Sequence, residues 1–190
     1  MFINSESLLR RHNSLQWCRQ LNEIAKYSPE SYDAFGVCNK DDWTSYYDIN
    51  KSINGNILSL KEYLEVENNY IETVIEILET SQITFLTIGY IEKDSYYSVP
   101  FEQSLLDQKD LSTFFEKCTA GMRININSKE LILLLKLCLR EKLWCILVNL
   151  KKNFELSFGY ELYLIIHAAI SVEELNIIAK KHHLYLNARK

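Results

Sequence analysis

"ELILLLKLCLREKLWCILVNL", residues 130–150, is the most hydrophobic stretch of the chain, and its reading decides the fold. A membrane span needs about 20 mostly apolar residues in succession. Lys136 and then Arg140-Glu141-Lys142 interrupt the run too soon for that, so no membrane is expected. On a helical wheel of about 100° per residue, Lys129, Lys136 and Arg140 share one narrow stripe. Leu131, Ile132, Leu134, Leu135, Cys138 and Leu139 cover much of the remainder. The period fails beyond Lys142, where a continued helix would carry Leu147 onto the basic stripe and Asn149 into the apolar face. The spacing therefore predicts one helix over residues 128–140, a chain reversal between Arg140 and Leu143, and a second helix over residues 142–152.

Downstream, "FGYELYLIIHAAI" predicts another helix. A capping box at Ser171-Val172-Glu173-Glu174 starts a last one, "VEELNIIAKKHH"; in such a box hydroxyl and carboxylate each satisfy a first-turn amide. Two successive helix pairs resemble stacked units of an α-solenoid of ankyrin type, although the T-P-L-H-x-A signature is absent. An ordinary bundle closing over a hairpin is the preferred arrangement.

Upstream, residues 5–27 keep helical spacing in their second half and stop at Pro29. Residues 28–56 alternate turn formers with aromatics, which predicts an irregular stretch holding at most a short strand or one helical turn. A second capping box, Ser59-Leu60-Lys61-Glu62, opens a helix with Leu60, Tyr63, Leu64, Tyr70, Ile71, Val74, Ile75 and Leu78 on one face. Glu65, Glu72, Glu76 and Glu79 lie on the other. "ITFLTIGYI", residues 83–91, followed by Glu92-Lys93-Asp94-Ser95 and "YYSVPF", reads as a β-hairpin needing a third strand from near Val37 or from Ile124–Ile126. A helix over residues 104–117 follows. The expected fold is thus a single domain over 1–190, α+β and mostly helical. N-terminal helices with a small β-hairpin occupy 1–120, and stacked helical hairpins occupy 121–190.

Composition narrows the function. A chain of 190 residues with 47% hydrophobic residues is long enough to bury its own core without a disulfide or a metal. Its five cysteines, odd in number and without a C-x-x-C pair, point to a reducing compartment. No signal-peptide pattern opens the chain, so a cytoplasmic location is expected. Phosphate-loop, dinucleotide-fold and G-x-S-x-G patterns are missing, and the glycines are isolated from one another. Adjacent His182 and His183 point apart on a helix, and His167 lies in an apolar run with no nucleophile beside it. Cys138 and Cys145 sit among leucines. No catalytic residue, metal or cofactor is expected.

Charge is unevenly placed. Residues 1–110 carry 18 acidic and 9 basic side chains, net −9, and residues 111–190 carry 7 and 12, net +5. In the acidic half, Asp33, Asp41, Asp42, Trp43, Tyr46, Tyr47 and Asp48 mix carboxylates with aromatics, the composition of a surface that docks a basic protein. The competing expectation is that these aromatics pack the loop onto the helices.

In size, acidity and absence of any enzyme motif the chain resembles the immunity proteins that bacteria pair with contact-dependent or colicin-like toxins. The resemblance implies a non-enzymatic inhibitor, an antitoxin that covers the active site of a toxin domain, often a nuclease, by stoichiometric binding. No functional residue is transferred by it. A second reading is a helical adaptor or regulatory module, phage-encoded for example, that binds another protein or nucleic acid through Lys129, Lys136, Arg140, Lys151 and Lys152. A net of +5 is modest for nucleic acid, which is not the expected partner.

Overall fold

The computed structural model describes residues 22–33, 38–93, 108–159 and 162–188. Its centre is a seven-stranded antiparallel sheet built from β1 (Asn22–Ala25), β4 (Phe85–Lys93), β5 (Arg123–Asn125), β6 (Leu143–Asn149), β7 (Phe154–Phe158), β8 (Leu164–His167) and β9 (Tyr185–Ala188), in the order β5-β4-β6-β7-β8-β1-β9. A separate two-residue hairpin pairs β2 (Ser52–Ile53) with β3 (Asn56–Ile57). Among the described residues four α-helices accompany the sheet: α1 (Leu60–Thr80), α2 (Gln108–Lys117), α3 (Lys129–Leu139) and α4 (Val172–Lys181).

The expectation of a mostly helical chain ending in stacked helical hairpins is therefore overturned. Residues 143–149 and 164–167, read as helix, are the strands β6 and β8; between them Phe154–Phe158, of which only Phe158 fell in an expected helix, is β7, the three being consecutive and antiparallel. Asn22–Ala25, read as the end of a helix, is β1, inserted between β8 and β9. The remainder of that predicted helix, and the second hairpin strand "YYSVPF", lie outside the described residues. The strand expected from Ile124–Ile126 is present as β5, paired to β4. Both capping boxes form. Ser59 and Ser171 accept from the N–H groups of Glu62 and Glu174, whose carboxylates accept in return from the serine N–H groups. The helix expected at 128–140 is α3, and the chain reverses where the wheel fails.

Helix ends explain the reversals. At the ends of α1, α3 and α4 the residues Gln82, Glu141 and His183 take positive φ. In each case two amides close the helix: Gln82 N on Glu79 O and Ile83 N on Leu78 O; Glu141 N on Cys138 O and Lys142 N on Leu137 O; His183 N on Lys180 O and Leu184 N on Ala179 O. These are Schellman closures, which glycine usually supplies. Here the apolar residue behind the turn, Ile83 or Leu184, is buried and holds two of them in place.

Side chains alternate across the strands. Leu86, Ile88, Cys145, Leu147, Phe154, Leu156, Phe158, Leu164, Ile166 and Ile24 share one core with the apolar faces of the four helices. On the opposite face one row pairs Arg123 to Thr87, Thr87 to Val148, Val148 to Glu155 and Glu155 to His167, while Ile146 of β6 and Glu23 and Ala25 of β1 are buried on that same side. A bulge between Ile88 and Tyr90 inserts Gly89, where the built Cβ position lies 3.5 Å from Val148. The extra residue keeps Tyr90 and Glu92 on the same face as Thr87.

Candidate functional site

The acidic, aromatic segment predicted as a binding surface packs where β1 ends and α1 begins. Pro29–Ser31 forms a 3-10 turn, Tyr32 bridges to Cys38, and Ser45 caps a second 3-10 turn, Tyr46–Asp48. Asp48 returns its carboxylate to the N–H groups of Thr44 and Ser45. The β2–β3 hairpin closes through Asn54 and Gly55, both at positive φ, and Asn54 Nδ2 donates to Asp41 O at 2.7 Å. Asn-Gly is the favoured pair for such a two-residue turn.

Lys26, delivered by the end of β1, stands 3.3 Å over the Trp43 ring, donates to Trp43 O at 2.8 Å and pairs with Asp42 at 3.2 Å. Burial pushes its pKa down to about 8, with Asp42 opposing that shift. Burial would raise the Asp42 carboxyl, but a hydrogen bond from Tyr27 OH, the Trp43 N–H and the charge of Lys26 hold it below its ordinary value. Burial and Asp42 together push the Tyr27 hydroxyl well up.

Below this layer Trp43 and Tyr46 both pack on Tyr63 of α1, with ring centroids at 5.8 and 5.3 Å. Tyr63 OH donates to Leu139 O across 76 residues of chain. Next to it lies a fully buried ion pair: Arg140 Nε and Nη2 donate to the two oxygens of Glu67 at 2.6 and 2.7 Å. The two residues are only 1% and 3% exposed. Lys142, also buried, donates to Tyr47 OH at 3.2 Å and lies over the Tyr46 and Tyr47 rings. Glu141 turns toward the same region; burial raises its carboxyl, against a hydrogen bond from Ser45.

Of the seven predicted binding residues, Asp42, Trp43, Tyr46, Tyr47 and Asp48 are brought together on the loop packed against α1, but not to one purpose. Asp33 and Asp41 are exposed; Asp42, Trp43, Tyr47 and Asp48 are half-buried; Tyr46, at 6% exposure, belongs to the core under the loop. Trp43, Tyr46 and Tyr47 fasten the loop to α1 and α3. Asp48 caps a turn, and Asp42 holds Lys26 and Tyr27. What remains outward-facing is carboxylate. Asp42 lies close enough to Glu62 to raise its carboxyl against the stronger lowering by Ser59. That links the loop to the exposed Glu62, Glu65, Glu72 and Glu79 of α1, which fall within an arc of about 100° on the helix.

The basic stripe read on α3 disperses. Arg140 is spent on Glu67 inside the molecule, and Lys129 pairs with Asp110 of α2. His182 Nε2 and Lys181 Nζ both reach Glu76 of α1, at 2.7 and 2.8 Å. His167 lies on β8 beside Asn153, not in a helix. Cys138 and Cys145, expected apart, have their sulfurs 3.5 Å from each other in the core. Among the described residues no group of three His, Cys, Asp or Glu is placed to hold a metal ion, and no helix is long and apolar enough to cross a membrane. Comparison with family models, with curated proteins and with solved structures finds no match for this chain.

Proposed function

We propose that this chain is a non-enzymatic protein-binding inhibitor of the immunity-protein kind, which docks a basic protein, a toxin domain, against an acidic belt formed by Asp33, Asp41 and the outer face of α1. The observation that carries the reading is the division of labour just described. The aromatic side chains are used up in fixing the loop, while Asp41, Glu62, Glu65, Glu72 and Glu79 all face solvent on adjoining elements. A rigid carboxylate surface meets a basic partner with little ordering cost, and opposite charge speeds the encounter. Of the cations behind the nucleic-acid reading, Arg140 is buried against Glu67, whereas Lys129, Lys151 and Lys152 stay exposed.

The test is co-expression with the polypeptide encoded next to this gene. The expected result is a 1:1 complex that abolishes the neighbour's toxicity, with an association rate that falls as salt is added, because exposed charges are screened beyond about 8 Å at physiological ionic strength. Charge reversal at Asp41, Glu65 and Glu72 should slow association about tenfold or more while circular dichroism stays unchanged. Binding indifferent to salt and to these reversals would overturn the proposal. Asp42 is a poor probe, since its loss also releases Lys26 and Tyr27.

A further inference from the structure

Cys138 stands in the last turn of α3 and Cys145 on β6, on either side of the Schellman reversal, and their sulfurs meet in the core at 3.5 Å. From this contact we infer that the two residues are a redox modification site, joining in a reversible disulfide that locks the turn over residues 140–142. An S–S bond is about 2.0 Å long, so the sulfurs have to close by about 1.5 Å, which rotation about χ1 at the two residues supplies. Residues 139–144 alone separate the cysteines, so the bond closes a short ring and restrains this turn rather than the whole chain. The turn depends on outside support. Glu141 holds positive φ without being glycine, and the turn delivers Arg140 to Glu67 and Lys142 to Tyr47, contacts that fasten the loop carrying Asp41.

Bond formation takes two protons and two electrons from the thiols. With oxidised glutathione as oxidant, one Cys thiolate attacks the small disulfide and expels a glutathione thiolate. The other Cys then attacks the mixed disulfide and expels the second, so two glutathione thiols balance the new bond. Burial, and after it the hydrogen bond with Cys145, push the Cys138 thiol well up, so the attacking thiolate is scarce while the core is closed. Exchange therefore proceeds through opening of this corner, and the locked form, once made, is slow to be reduced. Cys118, at the end of α2, is a third buried thiol close enough to act on the ionisation of Cys138, but its S–H is turned to Phe115 O at 3.4 Å. The site needs no partner protein and is independent of the proposed function.

The full chain, folded or in urea, is equilibrated with fixed ratios of reduced to oxidised glutathione, quenched by alkylation and digested with trypsin. Lys136, Arg140, Lys142 and Lys151 are cleavage sites, so the disulfide appears as peptide 137–140 joined to peptide 143–151. Its equilibrium constant should be at least about tenfold larger in the folded chain than in urea, which by linkage is the factor by which the bond favours folding. Dithiothreitol should return both thiols. Cys118→Ala should keep the link, with a constant within about threefold of wild type. A constant no larger in the folded chain overturns the inference and leaves the pair as core packing. So does a folded chain whose Cys138 and Cys145 join glutathione or Cys118 in preference to each other.

Discussion

Arg140 and Glu67 lie 73 residues apart in sequence and within hydrogen-bond distance in the core, and neither exposes more than 3% of its surface. Removing one partner leaves an unpaired buried charge, so Glu67→Ala should cost about 3–5 kcal/mol in urea unfolding, whereas the paired replacement Glu67→Leu with Arg140→Met should recover most of the loss. Leu134, with no exposed surface, should lose about 2–5 kcal/mol on truncation to Ala in the same assay. Lys26 allows a signed test. Its folded pKa of about 8 lies below the ordinary 10.5, so the unfolded chain binds more protons between those values, and stability should rise with pH there. Tyr27 and Tyr32, raised by burial, act oppositely: their contribution is present below pH 10 and lost above it as the unfolded chain ionises. Unfolding free energy should therefore climb from pH 8 toward pH 10 and fall beyond, and Lys26→Met should remove the climb. Of these residue-level facts the burial of Leu134 was legible in advance, from the helical wheel, and the ion pair and the surroundings of Lys26 were not. The acid and aromatic character of residues 28–49 was, but a partner at a separation of 73 or 95 residues leaves no local mark.

At the scale of elements, capping chemistry was readable and strand identity was not. Ser59 and Ser171 announced their helices because the box is a local contract between residues three apart. Either serine replaced by Ala should lower stability by about 1 kcal/mol. The strands β6 to β8 hid in plain composition. "LWCILVN" is apolar on both faces, as a central strand can be, and a short apolar run cannot be told from a buried helix by period alone. The alternation Phe154, Leu156, Phe158 followed by Leu164, Ile166 does have the period of two, but it is divided between residues 153–157, left without an element, and the helix expected over residues 158–170, so neither part shows it alone. The failed wheel at Lys142 was a true signal of an ended helix. It was answered with another helix because no glycine marks the stop. With Gln82, Glu141 and His183 in the left-handed turn, the chain does without that marker and bears some strain for it. Gln82→Gly should relieve the strain and raise stability by up to about 1 kcal/mol, measured by chemical denaturation. Unchanged or reduced stability would mean that the buried Ile83 alone sets the turn.

At the scale of the whole molecule, helix α1 turns a carboxylate stripe to solvent beside the loop that holds Asp41, and the shared core and the sheet lie behind it. Exposed charges act on an approaching partner before contact is made, so reversing Glu65, Glu72 and Glu79 should slow association with the basic partner about tenfold or more and flatten its dependence on salt. None of the three is buried, so urea unfolding should stay within about 0.5 kcal/mol of wild type. Surface plasmon resonance across a salt series measures the rate. Association that keeps its wild-type rate and salt dependence in the folded triple variant would mean that the partner docks elsewhere, and the acidic belt would have to be abandoned as the binding surface.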